Sequence, residues 1–449
     1  MLREPDHLVR SLSEIVGEEH TLTGAATAGF AVDGMQPRVA VRPASQEQVG
    51  AVAAACSAAG AAMVAWGGGT GIGIGNPPSR LDVLVCLDRL TRIVEFDDAN
   101  LNVTAEAGVR LADLQAVLNG KQEFLPLDPA QADQVTVGGL LQTNASGPSR
   151  LLYGSARDWV LGLRVVLPSG ERIRCGGKVI KNVSGYDMNK VFIGSLGTLG
   201  IVTEATFKLL PLPAMRATVA GVFVRLADVA AAVNRTLESF LLPEAMEALD
   251  PHALTAVGPA LGLATASGYG LVIALAGSAE TVERQVRDFN TFFAQGNALT
   301  TATLGADRAA AAWQAVREVQ ARIPGERVVV KIAVPIGKTL ELFSAAEGLL
   351  QRLQWRGAVT AHAGSGIVRA GFGANANESL EALRDGLVAL RREAEASEGS
   401  LVLEAAPAAL KRSLDAWGAA REGSSVMRRL KAQFDPQGLM NPGRFLVGI

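Results

Sequence analysis

The sequence predicts an α+β protein of two lobes, and three observations predict it. The first half of the 449-residue chain alternates short apolar strands with amphipathic helices. The segment "LLPLPAM" (209–215) then punctuates the chain with two prolines. Beyond it, long apolar strands are separated by helices, a pattern suited to an antiparallel sheet covered on one face. The boundary between the lobes is expected at 213/214.

The elements follow in order. "RVAV" (38–41) reads as a short strand. "SQEQVGAVAAACSAAG" (45–60) reads as a helix with Ser45 and Gln48 as a capping box. Its apolar Val49, Val52, Ala53 and Cys56 share a face, and Gly60 stops it. "AAMVAW" is the next strand, so a βαβ unit ends at a glycine-rich loop. The helix "LADLQAVLNG" stops at Gly120. In the second half "ATVAGVFV", "GLVIALAG" and "RVVVKIAVP" are strands. "LADVAAAVNRTLESF", "SAETVERQVRDFNTFF" with Ser278 as its cap, and "KTLELFSAAEGLLQRL" are helices. Residues 253–279 carry no charge but are interrupted by Gly, Pro, Ser and Thr, so they read as buried strand and loop and not as a membrane span.

Composition narrows the function. Charged residues are 19% and apolar ones 49%, as in a globular protein. A formal charge of −2 gives no general attraction to nucleic acid or anionic membrane. Cys56, Cys86 and Cys175 lie far apart with no CxxC pair, which excludes a disulfide framework and a cysteine-held metal cluster within this chain. The start "MLREPDHLVR" lacks the apolar core of a signal peptide, so a cytoplasmic location is expected, with any membrane association made through partners.

The loop "AWGGGTGIGIGNPP" (65–78) is the strongest motif. A Rossmann fingerprint needs glycines at i, i+2 and i+5 followed by a helix. From Gly67, Gly69 or Gly71 the third position is Ile72, Ile74 or Asn76, so every register fails, and two prolines and a strand follow. An anion here would be held by successive backbone N–H groups, with the Thr70 hydroxyl adding to them. The competing reading is a glycine-rich turn. A second stretch, "VTVGGLLQTNASGPSRLLYGSARD" (135–158), again offers close backbone approach, at Gly138-Gly139 and Ser146-Gly147, so two segments could clamp an extended cofactor.

The order "VRP", "GGGTG", "VGGLLQTNASGPSRLLYGSARD", "KNVSGYDMNKVFIGSLGTLGIVTEATFKLLP" and terminal "FDPQGLMNPGRF" resembles the FAD-binding fold of the vanillyl-alcohol oxidase, or PCMH-type, superfamily. Within it the chain resembles FAD-linked subunits of glycolate oxidase and D-lactate-type dehydrogenases, with wording most similar to the smaller glycolate oxidase flavin subunit. The resemblance implies an FAD domain of two subdomains over 1–213, a ferredoxin-like cap over 214–400, and a helical tail over 401–449 that returns to the FAD domain. By resemblance, Gly67, Gly68, Gly69, Thr70 and Gly71 would wrap the pyrophosphate. Gly138, Gly139, Ala145, Ser146 and Gly147 would line the ribityl chain and flavin, Tyr153 and Gly154 would continue that wall, and Pro129 would also meet the cofactor. Ile201 and Val202 would meet the adenine end by main chain, and Asn441 would return to the flavin from the tail. None of His7, His20, His252 and His362 lies near the glycine loop in sequence, so non-covalent FAD is expected.

Related dehydrogenases carry a His-x-Gly-Asp-Gly-Asn-x-His segment that binds a catalytic metal. Here it reads "HAGSGIVR": His362 keeps the first position, but Ser365, Ile367 and Arg369 replace the Asp, the Asn and the second His. Glu404 in "LVLEAAP" has no adjacent histidine, so no metal is expected. His362 reads either as a general base at the flavin or as a structural histidine. Arg369 reads as a carboxylate binder or as an ordinary paired arginine. Lys331 shares a strand face with Val329 and Ala333, and binds an anion if that face meets the flavin cleft. The implied activity is oxidation of a small 2-hydroxy acid within a complex that includes an iron–sulfur protein and a second flavin subunit. The alternative is an electron-transfer subunit that keeps FAD but has lost its own substrate chemistry.

Overall fold

The computed structural model describes residues 5–178, 185–263, 267–373, 379–420 and 422–449. The first residues of the "KNVSGYDMNK" motif, 181–184, lie outside them. The first lobe holds two main sheets. One runs in the order Thr21–Thr23, Val39–Val41, Val83–Cys86, Met63–Trp66, and the last two pairings are parallel. The helix Gln46–Ala59 connects its strands. Ser45 caps it by accepting from Gln48 N–H, and Gly60 closes it at φ 63. The Gln48 side chain accepts from Ala44 N–H at 2.6 Å, one residue earlier than a capping box requires. The second sheet is antiparallel, in the order Ile93–Asp97, Asn102–Glu106, Ile201–Lys208, Val160–Val166, Arg172–Gly176.

Residues 439–441 pair with this lobe. Leu439 O accepts from Met63 N–H and Met63 O from Asn441 N–H, both at 2.8 Å, extending the first sheet along its Met63–Trp66 edge.

The cap is an eight-stranded antiparallel sheet. Its order is Thr300–Gly305, Met215–Phe223, Tyr269–Gly277, Ala245–Leu249, Arg356–His362, Ile367–Gly373, Arg327–Ala333, Ser400–Ala405. Alternation divides its side chains between two faces. Val328, Val330, Ile332, Val368, Ala370, Leu401 and Leu403 point to one face, beneath the helices Leu226–Leu237, Ala279–Gln295, Thr339–Leu353 and Leu380–Ala396.

The structure corrects three expectations. The sheet is covered on both faces over half its width, because Ala245, Leu249, Val272 and Ala274 form a second apolar set. The helices Pro251–Leu261 and Ala306–Glu318 bury that set. The uncharged stretch 253–279 therefore contains a helix as well as a strand: Asp250 caps the helix through Ala253 N–H, and Pro251 starts it. The cap also extends past residue 400, because Ser400–Ala405 pairs with Arg327–Ala333 as the edge strand of its sheet. Among the described residues, no helix is long and apolar enough to cross a membrane.

Candidate functional site: a glycine cradle beneath a polar sheet face

The glycine loop leaves the end of the strand Met63–Trp66 and runs along a second backbone segment. A Cβ on Gly68 would stand 1.8 Å from Gln134 O, and one on Gly67 2.2 Å from Thr136 Oγ1. No side chain fits there. Gly69 has φ +76, a region that L-residues disfavour. Among the described residues, the main-chain N–H groups of Gly67, Gly68, Gly69, Thr70 and Gly71 make no hydrogen bond.

The second glycine stretch forms the short helix Val137–Thr143. Its first donors are spent: Val137 N–H on Val109 O, Gly138 N–H on Ala107 O, both at 2.8 Å, and Gly139 N–H on Thr136 Oγ1 at 3.3 Å. Gly138 itself is small because Ala107 lies against it, with Cβ atoms that would meet at 2.9 Å. The helix thus supports the loop, and the free donors belong to the loop.

Beyond the helix, Asn144 and Asn441 both lie beside the turn 194–197. Asn441 donates to Leu196 O, and Asn144 Cβ lies 3.4 Å from where a Cβ on Gly194 would stand. The Oδ1 atoms of Asn144 and Asn441 are buried without a partner. Such acceptors are costly when left empty, and they suit an N–H or O–H of a bound group. Ile201 and Val202 give their side chains to the two cores of this lobe, and their main chain pairs on one edge with Val166 and Val165.

Pro129 is buried beside Asp128, whose carbonyl oxygen would lie 1.9 Å from a Cβ on Gly147. Ala145 packs on the core of this lobe, and Ser146 Oγ accepts from Arg150 Nη1 at 3.4 Å. Tyr153 packs edge-on against Phe124 and Trp159 and lines a cleft of about 330 Å³ between the lobes, with Arg216, Glu244 and Trp313. Burial, with Glu244 adding, pushes its hydroxyl up to about 12. Gly154 ends the preceding helical turn at φ 76.

The uncovered half of the cap sheet turns polar residues toward this lobe. Glu247, Thr360, His362, Arg369, Lys331 and Glu404 come from five adjacent strands and share one face, as the registers Glu247↔His362, Thr360↔Arg369 and Lys331↔Arg369 require. His362 Nδ1 is hydrogen-bonded to Glu247 Oε1, and the two side chains are 8% and 1% exposed. His362, Thr360 and Arg369 line a narrow cavity with Gly147 and Pro148 of the first lobe.

Arg369 pairs with Glu404 at 2.9 Å. Burial pushes the Glu404 carboxyl up, but Arg369 and Lys331 more than offset this and hold it below its ordinary value. Burial pushes Lys331 below the ordinary lysine value, Glu404 opposing and Arg369 and Arg150 adding. Among the described residues its ammonium makes no hydrogen bond.

The structure therefore brings His362, Lys331 and Arg369 to one surface. Glu247 and Arg150 escaped the sequence reading. Glu247 had left a signal, a carboxylate inside the apolar strand "AMEAL", of the same kind that singled out Lys331. Among the described residues, no group of three or more His, Cys, Asp or Glu side chains is placed to hold a metal ion.

An open backbone cradle with free donors, two empty buried acceptors and a polar sheet face above them fit a bound flavin dinucleotide. Residues 37–176 match the family of FAD binding domains, and residues 212–445 match that of FAD linked oxidases, C-terminal domain. The chain belongs to the FAD-linked oxidases, and its cofactor is FAD. It is 28% identical over 419 residues to glycolate oxidase subunit GlcD of Bacillus subtilis (strain 168), covering 92% of this chain and 89% of that one. It is 28% identical over 427 residues to D-lactate dehydrogenase of Anaerostipes hadrus, covering 91% and 89%. The fold also matches the crystal structure of p-cresol methylhydroxylase with substrate bound, at a TM-score of 0.78 and 17% identity over 98% of this chain and 96% of that one.

Proposed function

We propose that this chain oxidises a small 2-hydroxy acid of the glycolate or lactate type, with FAD held non-covalently between residues 1–213 and the cap. The observation that carries the reading is the convergence of a buried His362–Glu247 pair with Lys331 and Arg369 on one face of the cap sheet, with Arg150 of the first lobe close to Lys331. The relatives named for glycolate and D-lactate support the substrate class.

Lys331 and Arg369 bind the substrate carboxylate. Glu247 accepts from Nδ1–H of His362, so the neutral imidazole presents Nε2 as the acceptor for the hydroxyl proton. Bound FAD supplies the hydride acceptor. Backbone N–H groups at 67–71 hold its pyrophosphate, while Pro129, Gly138, Gly139, Ala145, Ser146, Gly147, Tyr153, Gly154, Ile201, Val202 and Asn441 form the rest of its surroundings. The electrons then pass to an iron–sulfur protein and a second flavin subunit. Affinity purification from the native cell that recovers this chain alone and fully active overturns the partner proposal.

Anaerobic addition of glycolate or D-lactate to the purified yellow chain should bleach the flavin, before and after treatment with EDTA. Acid precipitation should leave the colour in the supernatant. Full FAD occupancy with no bleaching by any 2-hydroxy acid favours the electron-transfer alternative instead.

Lys331→Met should raise KM at least tenfold and change kcat little, because the lost cation acts on binding. In the parent enzyme KM should climb with pH before an ordinary lysine value of about 10.4 is reached, since Lys331 loses its proton early. The linkage to stability has the matching sign. The unfolded chain holds this proton more tightly, so the contribution of Lys331 to stability rises with pH between the folded and unfolded values. A flat KM profile in both proteins would remove Lys331 from the site.

A further inference from the structure

The glycine loop is gripped from behind by residues distant in sequence. Arg444 Nη2 donates to Ile72 O and Ile74 O, and Lys411 Nζ donates to Gly73 O. Both cations share Asp33: Lys411 Nζ lies 2.7 Å from Oδ1, and Arg444 Nη1 3.5 Å from Oδ2. The three side chains are 0%, 2% and 6% exposed for Lys411, Arg444 and Asp33. Asp33 stands at φ 48 in a two-residue turn with Gly34 at φ 83, closed by hydrogen bonds between Val32 and Met35. That conformation is rare outside glycine, Asn and Asp.

Two buried cations around one carboxylate leave a net positive charge, an arrangement too costly to keep without compensation. Burial lowers Arg444 to about 10, which still leaves it a cation at neutral pH. Compensation within the loop is visible: three consecutive carbonyls turn their negative ends to the cluster. In a trans peptide the next N–H points the opposite way, so the N–H groups of Gly73 and Gly75 face away from the cluster.

We infer that Lys411, Arg444 and Asp33 are positioning residues for the FAD pyrophosphate: they anchor the carbonyls of 72–74, which Ile72 N–H on Gly69 O and Ile74 N–H on Gly71 O tie to the cradle, and add a buried positive charge beneath the anion. The inference rests on the reading of residues 67–71 as the pyrophosphate cradle. It gives the C-terminal tail a role in cofactor retention that Asn441 alone does not supply.

The test is FAD release from the purified holoprotein, followed by the rise in free-flavin fluorescence, together with amide exchange. Lys411→Met and Arg444→Lys should release FAD at least tenfold faster and speed exchange at 72–75, leaving exchange in the cap strand Arg327–Ala333 unchanged. Lys411→Arg, which keeps the cation, should return release to within twofold of the parent. Parent-like release from both Lys411→Met and Arg444→Lys, or equal loss of protection in the cap, overturns the inference.

If Lys411→Met fails to fold, Trp417→Phe decides. Trp417 Nε1 donates to Arg444 O at 2.9 Å, and removing that bond buries no new charge. Release at least twofold faster supports the inference, and unchanged release defeats it. A parent chain that never binds FAD defeats the flavin reading itself, which is a separate result.

Discussion

Gly69→Val is expected to leave the purified chain with less than a tenth of the parent's FAD. The glycine sits at φ +76, and a Cβ there would come within 2.8 Å of the Trp66 ring. An L-residue forced into this region costs about 1–2 kcal/mol, and each 1.4 kcal/mol is a factor of about ten in affinity. A loop that relieves this strain in the FAD-free chain must take it up again on binding, so up to this energy is lost from affinity. Any shift that relieves Gly69 misaligns the free N–H groups. Circular dichroism should remain close to the parent, since the loop leaves the strand Met63–Trp66 after its pairing is complete. Flavin absorbance per chain measures occupancy, and unchanged occupancy with unchanged affinity would reduce the loop to a turn.

What was legible in the sequence follows from what is local. The helix Gln46–Ala59 and its neighbours could be read because caps and periodicity act within a few residues. The glycine loop could be read because backbone contact leaves a compositional trace, and its failure to match a Rossmann register was informative in itself. Lys331 could be grouped on one strand face with Val329 and Ala333 because strand alternation is geometric.

The rest depends on pairings that no local signal encodes. Glu247 meets His362 across 115 positions of sequence, and that contact exists only because the strand Ala245–Leu249 pairs with Arg356–His362 in the middle of the sheet. Lys411 reads as an ordinary surface cation in "ALKRS", yet it is buried against Asp33, 378 positions away. Nothing local in the alanine-rich helix Ala306–Glu318 shows which face of which sheet it covers. The strand Ser400–Ala405 had a visible apolar alternation, and its assignment to the tail was a misjudged boundary.

His362→Gln is expected to slow flavin reduction by the 2-hydroxy acid by about 10²–10⁴, the usual contribution of a positioned base, while FAD occupancy stays near that of the parent. Glu247→Gln separates the base from its support. A glutamine oxygen can still accept from Nδ1–H, so the ring keeps its orientation and loses only the adjacent charge. A hydrogen bond to a charged group contributes about 1.5–3 kcal/mol and a neutral one about 0.5–1.5, so a loss of roughly tenfold is expected. Stopped-flow reduction of the two variants beside the parent reads both losses. If His362→Gln reduces its flavin within threefold of the parent, the imidazole is structural and the base must be sought elsewhere on the cap face.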